Sequence, residues 1–510
     1  MTAEEKFVFN THQDLIEGLS IAGRPLTDLI GEIQSIYSAD SRPWVIGFSG
    51  GKDSTTVLSL IFHAVSALPV PERTKKIYVV SSNTLVETPV VEEMINTVLQ
   101  LINSKAEEYR LPISAHAVSP ITDRTFWVNL LGRGYPAPTT RFRWCTERMK
   151  IEPVSAFILD RAAEFGEVVV ALGSRSAESS TRAQVIAKHR IEGTSLGRHS
   201  SLPNAYTYMP IEDWQNDDVW QYLMSAPCPW GGSNRELLDL YKGSNQGECP
   251  VVIDKSTPSC GNSRFGCWTC TVVTEDRALH GLIESGATWM QPLLRIRDYL
   301  WHTTQSDNIN KYRNPKRRTG KITFSSTGSI TEDGEFVRKH IHGPYWMKYR
   351  KLWLRRLLSE EKRLRENGQD IELVSREELH AIRQQWLWDP NEPDWSDSLP
   401  KIFKSLYPDE YVDWIDNDAG IFSGSDQYIL NKYEEETNVP AAMIMKMMEV
   451  ELDMSGLSRR DGLLNRLESI LNQDWSSFED VAKARANEPL KSAHRRKVDE
   501  LMKRHEDLKP

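Results

Sequence analysis

Trp44–Ser54 runs WVIGFSGGKDS: an apolar pentad, a Ser-Gly-Gly break, then Lys-Asp-Ser. The pentad Trp44–Phe48 has the length and bulk of a buried strand. Ser54–Leu68 follows with helical periodicity, so the break is a tight strand-to-helix turn. Two glycines let the backbone fold sharply and bring N–H groups close to a phosphate. The following helix adds the partial positive charge of its N-terminus. Lys52 contributes a full charge, and Ser49 and Ser54 contribute hydroxyl donors. Ser49, Gly50, Gly51, Lys52, Asp53 and Ser54 are therefore candidate phosphate-binding residues; the alternative is an ordinary Gly-Gly turn with a surface lysine.

The turn is not a Walker A loop. That motif needs a glycine where Ile46 stands, and Ser or Thr where Asp53 stands. A carboxylate beside phosphates makes sense as a ligand for Mg2+. Working outward, Ile77–Ser81 is a second strand. Pro89 opens a helix whose Val91, Met94, Ile95, Val98, Leu99 and Ile102 share one face. Ile113–Val118 and Glu167–Gly173 are a third and fourth strand, with a helix from near Lys150 between them. Upstream, Ile16, Leu19, Ile21, Leu26, Ile30, Ile33 and Ile36 recur at roughly helical spacing, which predicts helix within residues 1–40. Strands alternating with helices predict an α/β domain, an open, mostly parallel sheet with helices on both faces.

Ser49–Ser54 resembles the SGGKDS pyrophosphate loop of the N-type ATP pyrophosphatases, and other stretches are similar to the PAPS-reductase-like members of that family. Ser82-Asn83-Thr84 and Glu87-Thr88 follow the second strand, although relatives often carry an acid where Asn83 stands. Gly173-Ser174-Arg175-Ser176-Ala177-Glu178-Ser179, with Arg182 beyond, resembles the family's GxRxxES element. Pro210–Trp214 and Asp217–Trp220 resemble its P…W…DVW segment, which packing alone can also explain. The resemblance covers about residues 40–225. It implies an adenine nucleotide alpha hydrolase-like fold and cleavage of ATP between the α and β phosphates, with Mg2+ held by Asp53. It implies catalytic roles for Lys52, Asp53 and Arg175. Gly173, Arg175, Glu178 and Arg182 become nucleotide contacts, the arginines as bidentate phosphate partners.

Of six cysteines, four lie within the 22 residues Cys249–Cys270. In a reducing compartment this favours a metal or cluster over disulfides. Cys249, Cys260, Cys267 and Cys270 are spaced C-x10-C-x6-C-x2-C. Four thiolates suit an iron–sulfur cluster or a tetrahedral Zn2+, and spacing does not choose between them. Cys145 lies in RFRWCTERMK, Arg141–Lys150. Arg141, Arg143, Arg148 and Lys150 favour its thiolate, hence a nucleophile or sulfur carrier. The same cations suit a DNA phosphate, and the plain alternative is a structural cysteine among surface arginines. Cys228 has no partner nearby in sequence and reads as structural.

Loop and cysteines together resemble the DndC-type sulfurtransferases of DNA phosphorothioation. That resemblance implies a [4Fe–4S] cluster on Cys249, Cys260, Cys267 and Cys270. It implies replacement of a non-bridging backbone oxygen of DNA by sulfur, a cysteine desulfurase as donor, and partners of the DndD and DndE type. Cys145 then either carries a persulfide or replaces one of the four as a ligand. A tRNA thiolation enzyme shares the loop, the cysteines and a cluster, and stands as the alternative. A PAPS or adenylylsulfate reductase is a third reading, against which stand the absence of an adjacent Cys-Cys pair and of any Cys after Cys270. A non-catalytic DNA-binding subunit with a zinc knuckle is a fourth.

The 510 residues exceed one ordinary core. Hydrophobic content of 39% and charged content of 26% fit a soluble globular chain. No run of eighteen apolar residues predicts a membrane span. The acidic start MTAEEKFVFNTHQDLIEGLS does not read as a signal peptide, so a cytoplasmic location without membrane partners is expected. A net charge of −9 confines any nucleic-acid site to a local patch. KYRNPKRR, Lys311–Arg318, has five basic residues in eight; Lys321 and Arg338-Lys339-His340 follow. HGPYWMKYRK, His342–Lys351, interleaves cations with aromatics, which suits a nucleic-acid backbone. The alternative is a solvated loop and an amphipathic helix with Trp346, Leu352 and Trp353 in its core. Met443, Met445, Met447 and Met448 read as core packing. Ser375 with Glu378 forms a capping-box pattern, and Lys321–Ser325 with Glu335–Ile341 a hairpin. The expected organisation is a helical segment (1–40), an ATP pyrophosphatase domain (41–245), a Cys-rich iron–sulfur segment (246–275) and a mainly helical accessory domain (276–510) for DNA or partner binding.

Overall fold

A computed structural model describes residues 18–243, 266–330, 336–414, 422–455 and 460–486. Cys249 and Cys260 lie outside the described residues. The chain forms two compact units, residues 1–126 with 138–299, and residues 127–137 with 300–510.

In the first unit, β1 (Ser20–Ile21) and β2 (Arg24–Pro25) pair as a short hairpin. The main sheet comprises β3 (Trp44–Gly47), β4 (Ile77–Ser82), β5 (Ile113–Val118), β6 (Val168–Ala171), β7 (Leu196–Arg198) and β8 (Ala205–Tyr208), in the order β5-β4-β3-β6-β8-β7. Every pairing is parallel except β7 with β8. Side chains alternate between two cores, as a strand buried on both faces requires. Trp44, Ile46, Ile77, Val79 and Val169 share a core with Leu29 and Ile33 of the Leu26–Ser38 helix and with the Lys52–Ser66 helix. Val45, Tyr78, Val80, Val168 and Val170 pack with Ile158 and Ala162 of the Glu152–Phe165 helix on the other face. The expected α/β sheet is thus observed. Beyond the four strands read from the sequence it has β7 and β8, which at three and four residues carry too little periodicity to register.

The N-terminal reading needs correcting. Leu19 and Ile21 do not continue the helical face, because the helix begins only at Leu26. Ala22 and Gly23 both have positive φ and turn the chain into the β1–β2 hairpin. Pro25 then disfavours helical backbone in the residue before it. The buried face of the helix is Leu26, Leu29, Ile33 and Tyr37.

The second unit holds a hairpin, β9 (Thr323–Ile330) with β10 (Phe336–Ile341), and helices including Met347–Glu366, Arg376–Leu387, Ser398–Leu406 and Ala441–Asp453. β9 runs five residues beyond the Ser325 end expected from the sequence. Of the methionine stripe, Met445 is fully buried and the other three are half-buried. The Ser375–Glu378 capping box is present: the Glu378 N–H donates to Ser375 Oγ at 3.2 Å, and the Ser375 N–H donates to Glu378 Oε2 at 3.0 Å. Ser375→Ala is expected to destabilise the protein by about 1 kcal/mol, read from chemical denaturation. Among the described residues no helix is long and apolar enough to cross a membrane.

Residues 127–137 are clamped within this unit by polar contacts that no sequence pattern announced. Trp386 Nε1 donates to the Leu131 carbonyl at 2.7 Å, Arg350 Nη1 to Gly132 at 2.8 Å and Arg318 Nη1 to Arg133 at 2.8 Å. The Tyr345 N–H donates to the Gly134 carbonyl at 2.7 Å, and the Ala137 N–H to the Tyr345 hydroxyl at 3.0 Å. Arg350 and Asp389 form an ion pair at 2.8 Å with both side chains fully buried. This corrects part of the nucleic-acid reading of the two basic stretches. Arg313 and Arg350 hold backbone carbonyls inside the unit, and burial lowers the Arg313 pKa to about 10. Trp353 is core as expected, whereas Leu352 is exposed.

Candidate functional site

The strand order reverses between β3 and β6. Chain connections run from β3 outward through β4 to β5, then return to β6 on the other side of β3. Ligands of open α/β sheets bind at such a switch point, beyond the carboxyl ends of the strands. The two elements singled out in the sequence occupy it: Ser49–Ser54 follows β3, and Gly173–Ser179 follows β6.

The loop is held by its own hydroxyls. The Ser49 N–H donates to Ser54 Oγ at 3.2 Å, Ser54 Oγ donates to the Gly51 carbonyl at 3.0 Å, and the Gly51 N–H reaches Ser49 Oγ at 3.4 Å. Gly50 has φ +71°, and a Cβ there would meet Ile95 Cγ1 at 3.2 Å. Glycine is needed at this position for both reasons. The Lys52–Ser66 helix starts inside the loop with no side-chain cap from Gly51, and its first amide, that of Lys52, donates to the Tyr241 hydroxyl.

Asp53 sits between two cations. Lys52 Nζ donates to Asp53 Oδ2 at 2.7 Å, and Arg175 Nε donates to Asp53 Oδ1 at 2.8 Å. Lys52 is 2% exposed and Arg175 0%. Two cations against one carboxylate leave excess positive charge in a poorly solvated place, where it attracts an anion strongly. Each Asp53 oxygen keeps acceptor capacity beyond its one hydrogen bond. Arg175 also donates to the Trp214 carbonyl at 3.3 Å, and the Ser176 N–H donates to the Glu212 carbonyl at 2.8 Å. The Pro210–Trp214 segment therefore seats the GxRxxES element rather than serving packing alone. Arg175 is a positioning residue behind Asp53 instead of a rim residue open to phosphate. Arg182 pairs with Glu178, whose Oε1 accepts from the Arg175 N–H at 3.1 Å.

A cavity of about 510 Å³ opens here. Ser49, Gly51, Asp53 and Ser54 line it beside Gly173, Ser174, Glu178 and Arg182. The volume suits a nucleotide-sized ligand. Gly173 matters for a reason the motif does not state: a Cβ there would lie 2.7 Å from the Asp53 carbonyl carbon and 2.9 Å from the Ser54 nitrogen. Gly173→Ala is expected to push the loop away and weaken nucleotide binding at least about 10-fold, by calorimetric titration, with a stability loss of about 1–3 kcal/mol.

A second cluster lies at the carboxyl end of β4. Glu87 and Cys267 pair as an isolated antiparallel bridge, the Thr88 N–H donates to the Gly266 carbonyl at 3.2 Å, and the Trp268 N–H to the Val86 carbonyl at 3.0 Å. Thr84 Oγ1 lies 3.2 Å from Cys267 Sγ and donates to Glu87 Oε1 at 2.9 Å. Lys150 Nζ is 3.8 Å from Glu87 Oε1. Burial, with the nearby Glu87 carboxylate, pushes the Cys267 thiol well above its ordinary pKa, and Cys145 lies within electrostatic reach of it. The structure thus brings Cys145 and Cys267 into one neighbourhood. Thr84, Glu87 and Thr88 serve the cysteine stretch, while Asn83 Nδ2 donates to Glu92 at 2.7 Å. Cys270 follows Cys267 in a turn, its N–H donating to the Cys267 carbonyl at 3.1 Å. The fully buried Arg297 donates to the Cys270 and Thr274 carbonyls, each at 2.8 Å. Neither Arg297 nor Tyr241, whose hydroxyl accepts from the Lys52 N–H at 3.2 Å, was visible in the sequence, because both lie far from the motifs they support. Cys228 is apart from the cluster; burial raises its thiol pKa to about 12, as a structural cysteine requires. Among the described residues no three Cys, His, Asp or Glu side chains converge in metal-ligand geometry.

The family model of the phosphoadenosine phosphosulfate reductase domain matches residues 43–273. An uncharacterized protein of Methanocaldococcus jannaschii is 28% identical over 201 residues, which is 39% of this chain and 35% of that protein. The chain thus spans about a third of the length of this curated relative. Similar solved structures include the phosphoadenylyl-sulfate reductase of Candida auris in a phosphate complex, at 16% identity over 44% of this chain and 93% of that one, with a TM-score of 0.27. The U34-tRNA thiolase NcsA of Methanococcus maripaludis, with its [4Fe–4S] cluster, aligns at 13% identity over 55% of this chain and 80% of that one, with a TM-score of 0.27. The loop after β3 and the element after β6 both fall in residues 43–273, the stretch that is similar to the phosphoadenosine phosphosulfate reductase domain.

Proposed function

We propose that this protein is an ATP pyrophosphatase that activates a DNA backbone phosphate for sulfur insertion, as the DndC-type enzymes it resembles do. The observation that supports this best is the buried Lys52–Asp53–Arg175 cluster against the cavity at the switch point. Its excess positive charge, set behind the cavity wall, would stabilise the negative charge gathered by a departing pyrophosphate. The Gly50–Gly51 backbone and the N-terminus of the Lys52–Ser66 helix would hold the β and γ phosphates. Asp53 would hold Mg2+ through its remaining lone pairs.

A non-bridging oxygen of the DNA phosphate attacks the α-phosphorus of ATP, the α–β bridging P–O bond breaks, and pyrophosphate leaves. The outer sulfur of a persulfide on Cys145 then attacks the DNA phosphorus. AMP departs with the former DNA oxygen, and a second thiol supplies the two electrons that cleave the S–S bond. A cysteine desulfurase and proteins of the DndD and DndE type are the partners this reading calls for. The donor set at the second cluster is thiol-rich, and a [4Fe–4S] group would be held by Cys249, Cys260, Cys267 and Cys270. When bound, such a group would supply a sulfur- or electron-relaying centre.

The test incubates the full-length protein with ATP, Mg2+ and a persulfide donor, in parallel with duplex DNA and with tRNA. AMP and pyrophosphate are expected, with sulfur-bearing dinucleotides in the digested DNA. Release of ADP excludes the reading, and sulfur in tRNA but not in DNA replaces it with a tRNA thiolase.

A further inference from the structure

We propose that the exposed face of the Met347–Glu366 helix, joined by Lys311, is a docking surface for the sugar-phosphate backbone of duplex DNA. The choice of DNA rests on the function proposed above; the surface itself rests on charge and geometry. One side of this helix is fixed in the core by Met347, Trp353, Leu354, Leu357, Leu358 and Leu364. The exposed positions are therefore set: Lys348, Leu352, Arg355, Arg356, Ser359, Arg363 and Glu366. Their spacing places them along one side of the helix. Four of the seven are cations, and the one acid, Glu366, lies in the last turn beside Lys362. Arg363 is paired with Glu360 at 2.6 Å, whereas Lys348 and Arg355 make no ion pair among the described residues.

Lys311 arrives from a different element, the Ser306–Tyr312 helix. The Tyr312 and Tyr349 rings meet edge to face at 4.8 Å. Lys311 Nζ lies 5.2 Å from the Tyr312 ring centre and Lys348 Nζ 5.2 Å from that of Tyr349. The touching rings bring the two ammonium groups into one patch. The two basic stretches of the sequence thus converge, but only in part, since Arg313 and Arg350 are used internally. From Lys348 to Arg363 the helix rises about 22 Å, enough to follow several phosphates of a strand. In a chain of net charge −9 such a patch is where a polyanion can approach. Tyr345 and Trp353 are buried and cannot stack on bases, so the surface is expected to hold backbone without reading sequence.

Fluorescence anisotropy with the full-length protein and a labelled duplex of about 30 base pairs, across a salt series, tests this. Wild-type binding is expected to fall with a log–log salt slope of about −3, as for three phosphate contacts. Lys311→Glu/Lys348→Glu/Arg355→Glu is expected to lose at least about 30-fold in affinity and most of that slope. Lys432→Glu, at an exposed lysine on the Gly424–Thr437 helix, is expected to retain both. Circular dichroism checks that the variants fold. Wild-type affinity and slope in the triple variant, no DNA binding by the wild type, or preferential binding of a matched RNA duplex each overturn the proposal. Binding is read without ATP, so DNA affinity in a protein that forms no AMP separates this surface from the catalytic reading.

Discussion

Asp53→Asn is expected to reduce formation of AMP and pyrophosphate at least about 100-fold while leaving the protein folded. The carboxylate lies between Lys52 Nζ at 2.7 Å and Arg175 Nε at 2.8 Å, on the wall of the cavity. Asparagine keeps the shape and one acceptor oxygen but removes the charge that would hold Mg2+ and balance the two cations. Asp53→Ala and Lys52→Ala should be equally inactive, but each leaves a buried charge without its partner, which also destabilises the fold. Asparagine also takes the counter-charge from Lys52 and Arg175, but it keeps the side-chain volume and one acceptor oxygen, so its cost in stability is expected to be smaller than that of Asp53→Ala. Steady-state AMP release with the midpoint of thermal unfolding as control decides it. Activity within a few-fold of wild type in a folded Asp53→Asn protein would remove the central residue from the mechanism.

Arg350→Leu is expected to destabilise the second unit by about 3–5 kcal/mol, because it leaves the buried Asp389 carboxylate with the more distant Arg318, at 3.9 Å, as its remaining ion-pair partner among the described residues. Both side chains are fully buried at 2.8 Å, and Arg350 also donates to the Gly132 carbonyl. Asp389 additionally accepts from the Asn391 and Glu392 N–H groups at 2.9 Å each. Burial alone would raise the Asp389 pKa, but the Arg350 guanidinium and these two amides hold it below the usual carboxylate range. The sign follows from linkage. A depressed native pKa contributes stability above the unfolded value of about 3.9, and that stability is lost as the pH falls through the native value. Urea unfolding of the full-length chain near neutral pH measures the effect. In acid, below the native pKa of Asp389, the difference between wild type and Arg350→Leu should shrink. A loss under about 1 kcal/mol at neutral pH would mean that this pair does not hold residues 127–137 in place.

What was legible in the sequence was whatever is written locally. Trp44–Gly47 is a short apolar run against a glycine break, so β3 and the loop after it are visible together. The Pro89–Glu108 helix announces itself by Pro89 and its apolar face, and the Arg376–Leu387 helix by Ser375 and Glu378. β7 and β8 were missed because so few residues define no period. The helix expected to include Leu19 and Ile21 starts late because Gly23 and Pro25 act on backbone geometry that hydrophobic spacing ignores.

By itself, the order of residues determined the class of fold, the strand–turn–helix around Ser49–Ser54 and the identity of the thiols, since each depends on neighbours a few positions apart. Only the folded chain decided which charges are spent and which are offered. Arg175 backs Asp53, Arg350 anchors Gly132, and Cys145 lies near Cys267. In sequence these residues look like any other cation or thiol. Burial, which removes water as the competing partner, ties each of these cations to particular carboxylates and carbonyls, and burial depends on chain segments more than a hundred residues apart coming together.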